Sequence, residues 1–101
     1  MLEYRIERQG RHSVPVVTFA DPRYALAGEF LLAEARNFGE EILTVLCESL
    51  KEHKQCGFAG NAFRLEIAAE QTMIVNDITE KKCVIDTKDF LDAAKEYVNN
   101  L

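Results

Sequence analysis

Between Phe63 and Phe90 the chain opens on an alternation of apolar and polar residues, adds a second and a third strand, and then changes to the period of a helix. Phe63, Leu65 and Ile67 interleave with Arg64 and Glu66, the two-residue repeat of a strand with one face turned inward. Ala69-Glu70-Gln71 turns the chain, Thr72 to Asp77 returns as a partner strand, and Cys83-Val84-Ile85 supplies a short third. A meander of this kind leaves one apolar face that something else must cover. The cover begins at once. Asp86-Thr87 offers a helix cap, and Phe90, Leu91, Ala94, Tyr97, Val98 and Leu101 recur at helical spacing.

A second and longer helix is written earlier, from about Tyr24 to Glu52. Leu31, Ala35, Phe38, Ile42, Leu46 and Leu50 form a stripe spaced by threes and fours. Gly28 and Gly39 interrupt it, each weakening a helix by about 1 kcal/mol relative to Ala. Gly28 is read as lying near the helix start and Gly39 as marking close packing or a bend. Before the helix, Leu2, Tyr4 and Ile6 alternate with Glu3, Arg5 and Glu7. Gly10-Arg11-His12 reads as a turn and Val14 to Phe19 as a return strand, with Pro15 pushing its start toward a sheet edge. Lys51 to Gly60 reads as a polar loop. The expected architecture is therefore α+β in one domain, residues 1–101, in the order β-β-α-β-β-β-α. The N-terminal hairpin and the three-stranded meander are expected to join in a single antiparallel sheet, with a long central helix and a C-terminal helix on one face.

Apolar residues make up 48% of the 101, enough for one core without disulfides or metal. No apolar run approaches the roughly 18 residues of a membrane span. The opening Met1-Leu2-Glu3-Tyr4-Arg5 has no basic segment followed by an apolar block, so a cytoplasmic protein is expected. Cys47, Cys56 and Cys83 are an odd set without a CxxC pair, which suits reduced bystanders better than a disulfide or zinc framework. His12 and His53 lie in different expected loops and carry no acid–base pattern, and His53 with Cys56 lacks further metal ligands. Gly57-Phe58-Ala59-Gly60-Asn61 leads into a strand rather than a helix, so it is not a phosphate cradle. No catalytic, cofactor or metal residue is assigned.

Charge is the remaining signal. The net value is −5, and residues 24–50 carry five Glu against Arg36 alone. Such a surface repels nucleic acid and anionic lipid and attracts basic proteins. Arg5, Arg8, Arg11 and His12 form a modest basic cluster, diluted by Glu3 and Glu7. Glu34, Glu41 and Glu48 recur every seven residues, a spacing that drifts only about 20° per repeat. They are expected to form an acidic contact ridge on the long helix. Asp77 and Glu80, in the turn after the meander's second strand, make a second acidic group.

One resemblance goes further. The pattern Phe58-x-Gly60-Asn61-x-Phe63-x-Leu65-x-Ile67, then Thr72-x-Ile74-x-Asn76-Asp77, then Cys83-x-Ile85-x-Thr87-x-x-Phe90 resembles small immunity proteins of bacterial toxin–immunity systems. The likeness is to those paired with contact-dependent growth-inhibition and related polymorphic toxins. It covers about a third of the chain, and its specific parts are the Gly-Asn strand entry and the Thr-x-x-Phe helix start. The resemblance implies a cytoplasmic, non-enzymatic protein that binds the C-terminal domain of one cognate toxin, usually a nuclease. An acidic surface suits the basic cleft of a ribonuclease, so Glu34, Glu41, Glu48, Asp77 and Glu80 are the expected partner contacts. The alternatives are a non-enzymatic regulatory or interaction module with another basic partner, and a small enzyme, which would need carboxylates or histidines converging in a pocket.

Overall fold

The computed structural model describes residues 2–9 and 14–101. It is α+β, with the hairpin, the long helix, the antiparallel meander and the C-terminal helix in the expected order. Strands β1 (Tyr4–Gln9) and β2 (Val14–Phe19) form the hairpin, and the turn residues Gly10-Arg11-His12 lie outside the described residues. A short 3-10 turn, Pro22–Tyr24, is capped by the Asp21 side chain, which accepts from Arg23 N–H at 2.9 Å. Helix α1 (Ala25–Glu52) follows, then β3 (Cys56–Ala59), β4 (Phe63–Ile67), β5 (Gln71–Asn76), β6 (Lys82–Asp86) and α2 (Thr87–Asn99).

Two expectations are corrected. The meander has four strands, because part of the segment read as a polar loop pairs as β3 with β4 in an antiparallel register, Phe58 opposite Leu65. With Phe58 as its one large apolar residue, β3 shows no alternation to recognise. The hairpin does not join the sheet but forms a two-stranded sheet of its own, beside the sheet ordered β3-β4-β5-β6.

Helix α1 crosses the inner face of the four-stranded sheet. The Cys83 thiol of β6 lies against the Ala27 backbone, and burial pushes its pKa up, which makes it a poor nucleophile. Phe30 meets Phe58, Phe63 and Phe90 at centroid distances of 6.0, 5.7 and 5.9 Å. Further along, Phe38 stacks edge-on against Phe58 of β3 at 5.5 Å. Helix α2 lies beside the first half of α1 and parallel to it: Phe90 sits against Phe30, and Val98 against Gly39. At the latter contact α1 bends. Phe38 has non-helical angles (φ −128°, ψ 19°), and a Cβ on Gly39 would come within 3.3 Å of Val98. The sequence reading of Gly39 as a point of close packing or bending holds on both counts.

The hairpin docks on both helices. Gly28 of α1 passes so close to β2 that a Cβ there would stand 2.7 Å from the Val17 carbonyl oxygen. The Tyr97 hydroxyl of α2 donates to the Pro15 carbonyl at 2.7 Å, Tyr4 donates to Glu96 at 2.8 Å, and Arg8 donates to the Asn100 carbonyl. At the base of α2, Thr87 Oγ1 donates to the Ala68 carbonyl at 2.6 Å. A hydroxyl has one proton, so in the buried 2.8 Å contact between the two threonines Thr72 is the donor.

Candidate protein-interaction surface

The described residues hold no group of three or more His, Cys, Asp or Glu side chains placed to bind a metal. His53 is exposed at the C-terminal end of α1 in the left-handed region (φ 50°), and His12 lies outside the described residues. The depressions on the surface are shallow. A cleft of about 380 Å³ at the α1 bend is lined by Arg36, Phe38, Glu40, Glu41, Val98 and Leu101 and is open to solvent.

The five acidic residues picked out from the sequence separate into three situations. Glu34 is not a surface residue: its exposure is 0%. One carboxylate oxygen accepts from Asn61 N–H at 3.0 Å, and the other accepts from Ala62 N–H at 2.8 Å and Phe63 N–H at 2.9 Å. Gly60 completes the seat, since a Cβ there would stand 2.5 Å from the carboxyl carbon. Heptad spacing with Glu41 and Glu48 placed Glu34 on the ridge. The bend at Phe38 breaks the helical phase between them, so residue 34 faces the β3–β4 turn while residues 41 and 48 face outward. Glu34 is therefore removed from the expected contacts and becomes the residue that fastens α1 to the sheet.

Glu41 and Glu48 are exposed on the second half of α1, past the end of α2. Glu48 lies 3.8 Å from Lys54, which also pairs with Glu52 at 3.2 Å. These neighbours, Glu52 foremost, raise the Lys54 pKa. Glu40 and Glu41 make no ion pair among the described residues, and Arg36 is the cation that lines the same cleft.

Asp77 and Glu80 sit in the turn joining β5 to β6. The Asn76 side chain organises this turn by accepting from Ile78 N–H at 2.9 Å and Thr79 N–H at 3.1 Å, and Glu80 adopts φ 65°. Asp77 pairs with Arg64, which also holds Glu66 at 3.2 Å. Glu80 makes no ion pair among the described residues. Between the two acids Ile78 is 77% exposed, the most exposed large apolar side chain described. Sequence reasoning passed over Ile78, although an apolar residue inside an Asn-Asp turn is itself the available signal. The tip is tied to the rest of the site, because Asp77 N–H donates to the Ala62 carbonyl at 2.8 Å and Ala62 N–H donates to Glu34.

The surface thus offers exposed carboxylates on the second half of α1 and an acid-flanked apolar tip, with Glu34 linking their supports. No helix among the described residues is long and apolar enough to cross a membrane. No protein family, no curated protein and no solved structure matches the chain.

Proposed function

We propose that this chain is an immunity protein that binds and neutralises a cognate bacterial toxin domain. The toxin is a nuclease, with a ribonuclease the favoured chemistry, and its basic active-site cleft is covered by the acidic surface of this chain. In this reading the protein is not an enzyme and works in the cytoplasm, where it meets the toxin. The observation that carries the reading is the run of exposed glutamates on α1 with little compensating charge. Glu40 and Glu41 make no ion pair among the described residues, and Glu48 shares Lys54 with Glu52. A cleft that holds the phosphates of RNA presents the charge such a surface matches, and complementary fields speed encounter. Glu41 and Glu48, with Asp77 and Glu80, are the contacts proposed, and Ile78 is added as an apolar anchor of the kind that gives an interface its strength.

Co-expression with the product of the adjacent upstream gene tests this. A stable one-to-one complex that silences a growth-arresting C-terminal domain is the expected result. No complex and no rescue of growth would overturn it and leave an acidic binding domain whose basic partner is of another kind.

A further inference from the structure

We infer that the free edge of β3 is a docking strand, and that its occupant is an extended segment of a basic partner protein added antiparallel or parallel to it. The inference rests on the reading of this chain as a binder of a basic protein.

The hydrogen-bond parity of the sheet identifies the free groups. Gly60 N–H donates to the Phe63 carbonyl at 2.9 Å, and the same register pairs Phe58 with Leu65 and Cys56 with Ile67. These are the bonded pairs of an antiparallel ladder, so Gly57 and Ala59 point their N–H and C=O groups away from β4. Both residues are exposed, and no other hydrogen bond to their backbone is found among the described residues. Their side chains leave room for a neighbour. A Cβ on Gly57 would meet nothing nearer than the Leu65 carbonyl oxygen at 3.7 Å, so packing within the chain does not demand a glycine there.

The opposite edge differs. Strand β6 carries Lys82 and Asp86 and has the 3-10 turn against it, whereas β3 has neither charge nor proline to blunt it. Charge selects the occupant. Glu48 and Glu52 crowd Lys54 at the entry to β3, and Glu66 stands beside Gly57 on β4, with Asp77 sharing Arg64. Carboxylates outnumber cations around the edge, as they do over the whole chain at −5. A strand carrying Lys or Arg at alternate positions gains main-chain hydrogen bonds from Gly57 and Ala59 and charge pairing from the flanks.

The test uses the whole chain and the peptide acetyl-Lys-Val-Lys-Val-Lys-Val-Lys-amide, with the Gly-for-Val peptide of equal charge as control. Amide exchange followed by NMR is expected to slow about tenfold at Gly57 and Ala59 on adding the Lys-Val peptide, and far less with the control. Ala59→Pro removes an outward N–H without touching a ladder bond, so it is expected to keep the fold and abolish the protection. Gly57→Pro serves the same purpose should Ala59→Pro unfold. Protection elsewhere, protection that survives either proline, or none at all overturns the inference. So does a wild-type dimer that Ala59→Pro makes monomeric, which would assign the edge to a second copy. A neutralised toxin whose complex leaves Gly57 and Ala59 exchanging freely overturns this docking strand alone. Strand binding without any toxin overturns the functional reading alone.

Discussion

A buried carboxylate is ordinarily a liability, and Glu34 is stable in place because three backbone N–H groups converge on it. Glu34→Gln keeps an oxygen for two of these donors but turns an amide N–H₂ toward the third. The expected loss is about 2 kcal/mol, read as a fall of about 10 °C in Tm, with no change in net surface charge pattern. None of this was legible from the sequence. Glu34 and Gly60-Asn61 stand 27 residues apart at their nearest bonded pair, and only the fold brings them together. The Gly-Asn strand entry looked distinctive, yet its physical role is to give a carboxylate somewhere to sit. At the other extreme of exposure, His53 holds φ 50° at the end of α1. His53→Gly is expected to stabilise by about 0.5–1 kcal/mol, the left-handed penalty of a side chain less glycine's larger unfolded-state entropy. Denaturant titration checks it. Tyr4 supplies a pH signature: burial and the bond to Glu96 push its pKa up to about 12. The folded state keeps that proton after the unfolded chain releases it near 10, so stability falls as pH rises from about 10 to about 12. Tyr4→Phe removes that part of the slope, while Tyr97, also raised by burial, retains its own.

At the scale of elements, periodicity revealed every piece with a strong pattern. Helix α1, the strands β4 and β6, and α2 each bury one regular face, while β5 buries Ile74 and Val75 side by side and was visible as an apolar run between turns. Strand β3 was hidden because its own exposed residues are Gly57 and Ala59, which carry no polar signal. The separation of the hairpin from the sheet was equally hidden, since alternation states that a strand has an inner face but not what lies against it. Gly28 shows how far local propensity yields to packing. Gly28→Ala would raise helix propensity by about 1 kcal/mol. It would also press a methyl against the β2 backbone at 2.7 Å, where no flexible side chain can give way. Net destabilisation of about 1–3 kcal/mol is expected, with the hairpin amides losing exchange protection before those of β4 and β5.

For the molecule as a whole, net charge survived the passage from sequence to structure better than any individual acidic residue. Of the expected contacts, Glu34 is inside, Glu48 and Asp77 have cationic neighbours, and Glu41 and Glu80 make no ion pair among the described residues. Reversing Glu41 and Glu48 to Lys is expected to leave the fold and Tm nearly unchanged and to slow association with a basic partner about tenfold or more at low salt. Stopped-flow measurements across a salt series check this, because a field effect fades as ionic strength rises.

The clasp between hairpin and α2 also orders events in time. Tyr4 bonds Glu96 and Tyr97 bonds Pro15 across 92 and 82 residues of chain. On a ribosome these two strands therefore wait for α2. At about 5–20 residues per second that wait lasts several seconds. Through it, β2 has Gly28 of α1 against Val17 and Phe19 but lacks the Tyr97 bond to Pro15.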